Sequence, residues 1–248
     1  MSVLGIDIGG SGIKGNLVDV ETGALLAERH RIDTPEPSTP DMVADVVAEM
    51  VRHFDASGTV GCTFPAIVRR GVALSAANVD KSWIGTDADA LFEERTGLSF
   101  HMYNDADAAA VAEMKFGAGN GRSGVVIVIT LGTGIGSGMF VDGVLVPNTE
   151  LGHLHFEGHA PVERWASAKV RRAEGLSWEE WAGRVDRFLI HLDRVLTPDL
   201  FIMGGGVSRL WGDWGHFLTT TVETVPAELE NEAGIVGAAL SASLAEPR

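Results

Sequence analysis

Three glycine-rich segments each follow an apolar run, and their composition suits the binding of phosphate groups. The first is Asp7–Gly15 (DIGGSGIKG), the second is Leu131–Gly138 (LGTGIGSG) and the third is Gly204–Ser208 (GGGVS). Glycine lets the backbone approach a bulky anion closely, so that successive N–H groups point at phosphate oxygens. One such turn is equally typical of a tight hairpin without a ligand. Three of them, each at the end of a predicted strand, favour a phosphate cleft.

Side chains within these turns add the charge and the hydroxyl that a phosphate site needs. Asp7 ends a predicted strand and is a candidate ligand for Mg²⁺, a hard cation that prefers carboxylate and phosphate oxygens. The third turn is predicted to precede a helix, whose N-terminus attracts anions, and an adenine pocket for ATP would lie near it. The first segment is not a P-loop, because the G-x-x-x-x-G-K-[ST] pattern is absent. The candidate donor-binding residues are Asp7, Gly9, Gly10, Ser11, Gly12, Lys14, Thr133, Gly134, Gly205 and Gly206.

Two further groups of polar residues suit a hydroxyl-bearing acceptor. Asn104-Asp105 lies where a predicted strand meets a predicted helix. A carboxylate there can take a proton from a hydroxyl nucleophile, and the alternative is that Asp105 caps the helix. The second group is Asn148–His153 (NTELGH) with Glu163, a mixture of donors and acceptors that suits sugar hydroxyls. For His153, the alternatives are a metal site shared with His155 and His159, or a loop histidine without a ligand.

Basic residues concentrate between positions 164 and 194, which hold seven of the 19 lysines and arginines. They are Arg164, Lys169, Arg171, Arg172, Arg184, Arg187 and Arg194. One interpretation is a track for a long polyanion, for which Lys169, Arg171 and Arg172 are the candidates. The other interpretation is a solvated helix face.

Composition and charge limit the classes of partner. The 248 residues include 45% hydrophobic and 21% charged residues, enough for one large or two small folded domains. The formal charge of −15 disfavours nucleic acid and anionic membranes, because the field of the whole protein repels polyanions. Cys62 is the single cysteine, which excludes an internal disulfide and predicts a cytoplasmic protein. We expect neither a signal peptide nor a membrane span.

The order of predicted elements indicates an α/β protein with two similar lobes. Strands are predicted at Val3–Ile8, Ile13–Asp19 and Leu25–Arg31, and a further strand and helix at Phe100–Tyr103 and Asp105–Phe116. Later, strands at Val125–Thr130 and Leu200–Met203 flank helices at Pro161–Glu174 and Ser177–Leu196, and Asn231 is predicted to cap a last helix. The expected lobes are residues 1–105, joined by the last helix at 232–248, and residues 106–231.

These motifs together resemble the ROK family of sugar kinases, and within it the polyphosphate glucokinase branch. The resemblance covers nearly the whole chain. Asp7–Gly15 and Leu131–Gly138 are similar to the two phosphate motifs, Asn104-Asp105 to the sugar and base pair, and Glu150–His153 to the E-x-G-H sugar motif. Glu163–Ser167 (ERWAS), Gly204–Ser208 and residues 231–239 (NEAGIVGAA) also match family segments.

The resemblance implies an actin-like ATPase (ribonuclease H-like) fold with two lobes around a central cleft. It implies Mg²⁺-dependent phosphoryl transfer to the 6-hydroxyl of glucose, from inorganic polyphosphate or from ATP. Asp105 would be the general base, and the sugar would be bound by Asn78, Asn104, Asp105, Glu150, His153 and Glu163. A homodimer is also implied, to which the tryptophans between Trp178 and Trp214 would contribute an apolar contact or, alternatively, core.

Two departures from the family pattern affect these expectations. Most ROK kinases carry a cysteine-rich zinc segment after the histidine, and its absence here leads us to expect no zinc. The loop Pro65–Arg70 has Ala66 where the branch usually has glycine, with Arg69 and Arg70 nearby. This change leaves open whether glucose alone or also mannose is accepted, and whether the two arginines touch the donor.

Two other classes share the implied fold. A sugar-responsive repressor needs a helix-turn-helix ahead of the first glycine motif, and the chain's charge is unsuited to DNA. A nucleotide-switched structural or chaperone-type ATPase does not need the sugar set at Asn104, Glu150, His153 and Glu163. Both are therefore less favoured than a kinase.

Overall fold

The computed structural model describes residues 1–76, 79–229 and 232–245. The chain forms two compact units: the first consists of Met1–Ala112 with Glu232–Arg248, and the second of Glu113–Asn231. The division falls inside a helix, between Ala112 and Glu113, whereas the sequence analysis places it after residue 105. A continuous helix contains no loop or change of composition that would mark such a boundary.

A five-stranded sheet forms the centre of the first unit. In chain order its elements are β1 (Ser2–Ile8), β2 (Ile13–Asp19), β3 (His30–Ile32), α1 (Pro40–His53), β4 (Thr59–Phe64), β5 (Val68–Arg69), β6 (Val72–Ala73), a 3₁₀ turn at Lys81–Trp83, α2 (Ala88–Thr96), β7 (Ser99–Asn104) and α3 (Asp105–Phe116). The sheet order is β3-β2-β1-β4-β7, while β5 and β6 pair with each other. Because β1, β4 and β7 run parallel, their carboxyl ends meet at one edge.

The second unit is built on a sheet of the same design. Its elements are β8 (Val125–Leu131), β9 (Ile135–Val141), β10 (Val144–Val146), a 3₁₀ turn at Leu151–His153, α4 (Glu163–Ala166), α5 (Ala168–Glu174), α6 (Trp178–Leu196), β11 (Leu200–Gly204), 3₁₀ turns at Ser208–Leu210 and Gly215–Phe217 around α7 (Trp211–Trp214), and β12 (Glu223–Pro226). The order is β10-β9-β8-β11-β12.

The two sheets therefore repeat one topology. In each, three antiparallel strands joined by hairpins precede two strands that add in parallel. The first hairpin of each unit carries a glycine turn, between β1 and β2 and between β8 and β9. This repetition explains the similarity between the first and second glycine segments, and it confirms the predicted α/β class with two similar lobes.

The last helix, α8 (Ala233–Leu244), packs on the sheet of the first unit. It can do so closely because small residues line the contact. A Cβ at Gly61 of β4 would lie 1.9 Å from the carbonyl oxygen of Ala238, and one at Gly237 would lie 1.8 Å from that of Ala108. Main chain thus meets main chain on both sides of α8, without room for even a methyl group.

Helix α6 shows how local sequence fixes an element of the second unit. Ser177 and Glu180 form a capping box, in which the Ser177 hydroxyl accepts from the Glu180 N–H and the Glu180 carboxylate accepts from the Ser177 N–H. One face of the helix is buried, with Trp181 against Trp214 at 5.0 Å between ring centroids. Both rings are fully buried, so these two tryptophans belong to the core and not to a surface contact.

Two predicted elements differ in the structure. The strand expected at Leu25–Arg31 is reduced to His30–Ile32, because the Asn16 side chain bonds the N–H and the carbonyl of Ala27 and replaces the strand ladder there. The helix expected at Pro161–Glu174 is two helices, α4 and α5. Ser167 between them is extended, with ψ of 157°, and its hydroxyl accepts from the Val170 N–H to start α5.

The cap expected at Asn231 lies outside the described residues. The residue that immediately precedes α8 is Glu232, whose side chain makes no capping hydrogen bond. Within the described ranges, the helices are all too short or too polar to cross a membrane.

Replacing Gly237 by alanine tests the close packing of α8. The added methyl group would overlap the Ala108 carbonyl, so we expect Gly237→Ala to lower the free energy of unfolding by about 1–3 kcal/mol. The matched control is Gly183→Ala in α6, where a Cβ meets nothing within 4 Å and we expect a gain of about 0.5–1 kcal/mol. Urea denaturation of both variants checks this, and equal midpoints would contradict the close packing of α8.

Candidate active site

Asp7 stands near the carboxyl end of β1, beside the neighbouring strand β4. The pairing of the two strands places Asp7 opposite Thr63, whose hydroxyl donates to Asp7 Oδ1 at 2.9 Å. On the other side, Lys14 Nζ lies 3.4 Å from Asp7 Oδ2. These contacts fix the carboxylate while leaving 21% of the side chain exposed. Thr63 is absent from the sequence prediction, although its place at the end of a buried parallel strand is a signal that could have found it.

The carboxylate of Asp7 also faces the start of α8. A Cβ at Gly234 would lie 3.2 Å from Asp7 Cγ, so the N-terminal turn of the helix approaches the carboxylate directly. Each carboxylate oxygen accepts about two hydrogen bonds, so lone pairs remain after the contacts with Thr63 and Lys14. The site therefore fits a Mg²⁺ that takes one protein carboxylate together with water and phosphate oxygens.

The turn between β1 and β2 is held from outside by two residues that sequence analysis did not select. Gly9 N–H donates to the Gly12 carbonyl at 3.1 Å, which closes the turn. Arg31 donates to the Ser11 carbonyl at 2.8 Å, and the Thr34 hydroxyl donates to the Gly9 carbonyl at 2.6 Å. Arg31 and Thr34 both donate to carbonyl oxygens of the turn. These side chains therefore hold the turn without bonding its N–H groups. No motif marks Arg31 or Thr34, because their role depends on tertiary contact.

Asn104 ends β7 and caps α3. Its Oδ1 accepts from the N–H of Ala106 at 2.9 Å and of Asp107 at 3.0 Å, and its Nδ2 donates to the Ala66 carbonyl at 3.0 Å. The capping function considered for Asp105 is thus carried by Asn104. Asp105 is the first residue of the helix, and its side chain is exposed. Asn78 lies outside the described residues.

Glu150, His153 and Glu163 come together in the second unit. Glu150 precedes the 3₁₀ turn that carries His153, and the two side chains lie 3.4 Å apart, Oε2 to Nδ1. Glu163 begins α4, and its Oε2 accepts from the Ile135 N–H at 3.2 Å. The same oxygen would lie 2.3 Å from a Cβ at Gly134, so a side chain there would displace the Glu163 carboxylate. The second glycine turn is therefore in direct contact with Glu163, one of the proposed sugar residues.

A serine of β9 positions the loop that carries Glu150. The Ser137 hydroxyl donates to the Thr149 carbonyl and accepts from the Leu151 N–H at 3.0 Å. Ser137 is buried, and it bonds the residues on both sides of Glu150. Ser137 belongs to the second glycine segment, but its role as an anchor for a distant loop was not predicted. The spacing of residues along the chain does not indicate its contacts with Thr149 and Leu151.

The electrostatic environment of Glu150 favours its protonated form. Burial raises the pKa of Glu150 above its ordinary value, and the negative charge of Glu163 raises it further, while His153 opposes the shift. Two carboxylates and an imidazole in one place provide both acceptors and a donor, which is the mixture that sugar hydroxyls need.

Thr133 and Gly134 lie in the turn between β8 and β9. Gly132 N–H donates to the Gly134 carbonyl at 3.0 Å, and the Gly132 carbonyl accepts from the Lys169 N–H at 3.0 Å. This second bond ties the turn to the beginning of α5. The Thr133 side chain is exposed. A hydroxyl at the tip of an anchored turn is available to a phosphate oxygen.

The third glycine turn differs from its prediction. Gly204–Gly206 ends β11, and the Ser208 hydroxyl donates to the Gly205 carbonyl at 2.9 Å. The chain then continues as a 3₁₀ turn and the four-residue helix α7, so the expected helix N-terminus for a phosphate group is not formed there. The sequence GVSRLWGDW has apolar residues at helical spacing, but two glycines and short turns interrupt it.

The basic residues of positions 164–194 divide into engaged and exposed groups. Arg171 stacks on Trp178, with 3.3 Å from its guanidinium carbon to the ring centroid. Arg184 bonds Glu174 at 2.7 Å, and Arg187 pairs with Glu157. Lys169 and Arg172 are exposed and form no ion pair with another described residue. Of the three candidates for a polyanion track, Arg171 is thus stacked on an aromatic ring, whereas Lys169 and Arg172 are exposed.

The three histidines of positions 153–159 do not converge. His159 stacks on Trp165, with 4.6 Å between ring centroids, while His153 faces Glu150. Among residues 1–76, 79–229 and 232–245, no group of three or more His, Cys, Asp and Glu side chains is placed to hold a metal. Sugar contact by His153 therefore fits the geometry better than a shared metal site does.

Comparisons with known proteins identify the family and the fold of this chain. The ROK family model matches residues 3–168. The chain is 48% identical to a polyphosphate glucokinase of Mycobacterium tuberculosis over 96% of this chain and 89% of that protein. It superposes with a TM-score of 0.92 on an inorganic polyphosphate/ATP-glucomannokinase from Arthrobacter sp. strain KM, at 50% identity and 98% coverage of both chains. A ROK glucokinase from Streptomyces griseus, in complex with glucose and AMPPNP, matches at TM-score 0.83 and 27% identity, over 99% of this chain and 100% of that one.

Removing the charge of Glu150 tests the electrostatic description. A raised pKa means that the folded protein holds the proton more tightly than the unfolded chain, so wild type loses stability as pH rises above the unfolded value. Glu150→Gln removes that loss. We expect the variant to gain stability relative to wild type as pH increases from about 4 to about 7.

The control is Glu223→Gln in the same unit. Its hydrogen bond with Arg122 lowers the pKa of Glu223, so the variant should lose stability relative to wild type over the same range, by a small amount because the pair is exposed. Melting temperatures at each pH measure both. A trend of the same sign in the two variants would argue against the burial of Glu150 as the cause.

Proposed function

This chain belongs to the ROK family, and from that premise we propose that it transfers a phosphoryl group from inorganic polyphosphate to the 6-hydroxyl of glucose. Its duplicated α/β unit is the actin-like ATPase (ribonuclease H-like) fold. The observation that carries the proposal is the contact between Glu163 and the turn at Gly134, which joins a residue proposed for sugar to one proposed for phosphate. The similarity to polyphosphate glucokinases over nearly the whole chain supports the same function.

Sugar binding is assigned to Glu150, His153, Glu163 and Asn104. In the proposal, Glu150, His153 and Glu163 bind ring hydroxyls as acceptors and donors. Asn104 has one N–H beyond its bond to Ala66 for a further hydroxyl. Because these residues are held by Ser137, Ile135 and the helix start of α3, they orient the acceptor without rearrangement of their own anchors.

Asp105 is proposed as the general base. It is the first residue of α3, where the positive end of the helix dipole stabilises an ionised carboxylate. Its Oδ1 shares the Ala106 N–H with Asn104, at 2.9 Å from each acceptor, and the residue is exposed, so a 6-hydroxyl can approach the carboxylate from solvent. Proton removal at the moment of attack is the chemistry that a positioned carboxylate contributes to phosphoryl transfer.

The donor phosphates are assigned to the glycine turns. The N–H groups at Gly10, Ser11 and Gly12, in the turn that the Gly9 N–H closes, would bind one part of the phosphate chain together with Lys14, and Thr133 with Gly134 another. A Mg²⁺ held by Asp7 would neutralise negative charge on the phosphoryl group during transfer. Gly205 and Gly206 remain candidates for donor contact through their backbone, and Lys169 and Arg172 for the more distant phosphates.

ATP is proposed as a second donor. The name of the Arthrobacter relative includes both polyphosphate and ATP, and the Streptomyces griseus relative was crystallised with AMPPNP. The glucomannokinase name of the former also makes mannose a proposed second acceptor. We also propose a cytoplasmic location, with which the buried and unbridged thiol of Cys62 agrees. A homodimer is proposed from the family resemblance alone.

The first test is the formation of glucose 6-phosphate by the purified protein with Mg²⁺. Long-chain polyphosphate and ATP are supplied separately as the sole donor. We expect turnover with polyphosphate that exceeds turnover with ATP. Turnover with ATP but not with polyphosphate would show that ATP is the donor. The absence of turnover with either donor, across glucose, mannose and glucosamine, would refute the proposed function.

Asp105→Asn tests the proposed base. We expect the variant to fold as wild type does and to lose about 10²–10⁴-fold in kcat, the usual contribution of a general base. Glu49→Gln, an exposed residue of α1, is the control for removal of one surface carboxylate and should keep full activity. Steady-state kinetics and thermal melting are compared for all three proteins. A well-folded Asp105→Asn variant with kcat close to wild type would rule out this role.

A further inference from the structure

A groove of about 510 Å³ lies in the second unit, on the solvent side of α6. One wall is a stripe of α6 formed by Arg187, Ile190, His191 and Arg194. These positions follow the i, i+3, i+4, i+7 spacing of a single helix face. The other wall is the segment His155–Glu157, which lies between the 3₁₀ turn at Leu151–His153 and α4. The groove is distinct from the residues assigned to sugar, phosphate or metal.

The groove combines an apolar floor with a basic rim. Phe156 is buried and contacts the His191 ring, with 5.0 Å between centroids. Arg187 and Arg194 are exposed at the rim, as is His155. In a chain with a formal charge of −15, two guanidinium groups against the single carboxylate of Glu157 make the lining of this groove locally basic.

The acidic groups near this face leave the arginines available. Glu157 pairs with Arg187 through one nitrogen, Nη2, and a guanidinium has five N–H donors. Asp186, on the same helix, is turned away from the groove. Its carboxylate accepts from Thr219 through both the N–H and the hydroxyl, and from the Thr220 N–H.

We propose that this groove binds phosphate groups of a long polyphosphate chain at a distance from the phosphoryl being transferred. The proposal deepens the proposed function and rests on polyphosphate as the donor. Arg187 and Arg194 are seven residues apart, which is about 10 Å along the helix axis. Cations spaced in this way can contact phosphates several units apart on one linear chain, whereas one compact anion cannot reach both.

The groove is also connected to the sugar-binding residues through α4. Trp165 lies on the same short helix as Glu163, and it contacts Phe156 at 5.9 Å between ring centroids. The Arg187 guanidinium lies 5.3 Å from the Trp165 ring centroid. Two residues of the groove, Phe156 and Arg187, therefore contact the helix that carries Glu163.

The test uses Arg194→Glu and, as a milder change, Arg194→Gln. With long-chain polyphosphate, we expect the KM of Arg194→Glu to rise by roughly tenfold or more, because hydrogen bonds between charged groups are lost. The kcat should stay unchanged. With ATP or tripolyphosphate, which lack the further phosphates of a long chain, both parameters should match wild type. The salt dependence of the polyphosphate KM should also become weaker.

The control for charge reversal is Arg52→Glu on α1 of the first unit, where the residue is exposed. If the KM for polyphosphate rises equally in Arg52→Glu and Arg194→Glu, the effect is one of general charge, and the proposed binding of polyphosphate in the groove is wrong. An equal rise for ATP and polyphosphate would overturn it as well. Thermal melting of each variant establishes that the protein is folded.

Direct binding separates this proposal from the choice of donor. Binding of fluorescently labelled polyphosphate is measured without glucose, for wild type and Arg194→Glu. Binding that depends on Arg194 supports the groove even if wild type transfers only from ATP. Turnover with polyphosphate but undiminished binding by Arg194→Glu would overturn the groove while the proposed function stands. Displacement by an equal concentration of single-stranded RNA would assign the groove to polyanions in general and overturn its assignment to polyphosphate.

Discussion

The close contact between α8 and the sheet of the first unit is the constraint on which its functional residues depend. At Gly61 and Gly237 the backbone of one element reaches the backbone of the next, so the position of the helix is fixed by main chain and not by adjustable side chains. The start of α8 then lies against Asp7. Because Asp7 is also bonded by Thr63 of the adjacent strand, helix and sheet together determine where its carboxylate stands. A segment from the end of the chain thereby completes a site that begins at residue 7.

The second unit uses the same principle with a different partner. Its first hairpin turn contains Gly134, and the space that a side chain would occupy holds the Glu163 carboxylate. Ser137, three residues on, anchors the loop that carries Glu150. One hairpin therefore positions two of the three sugar residues proposed in this unit, Glu150 and Glu163. The two sheets share one topology, but their first hairpins have different uses. The hairpin of the first unit carries Asp7 and Lys14, and that of the second unit anchors proposed sugar-binding residues.

The sequence predicted the elements whose signals are local, and it failed where tertiary contacts decide. The hairpin strands, the capping box at Ser177 and α3 follow from apolar runs, caps and glycines next to each other in the chain. The shortened strand near residue 30 results from the Asn16 side chain, and the break at Ser167 from a serine that starts a new helix. Arg31 was missed for the same reason, since its contact with Ser11 joins residues far apart in sequence.

The distribution of charge explains why a phosphate chain would need many contacts here. Several of the cations near the proposed donor sites are already paired with an acid, as Lys14 is with Asp7, Arg31 with Asp33 and Arg187 with Glu157. Such pairing fixes the cation in place but cancels much of its charge, so each phosphate contact contributes little in a chain of formal charge −15. Backbone N–H groups at the glycine turns add donors that carry no countercharge. A ligand with a long series of identical phosphates can sum many weak contacts of both kinds, whereas a nucleotide triphosphate has to obtain its affinity from a pocket for its base. The sum of many such contacts, and not the net field of the chain, therefore favours the longer donor.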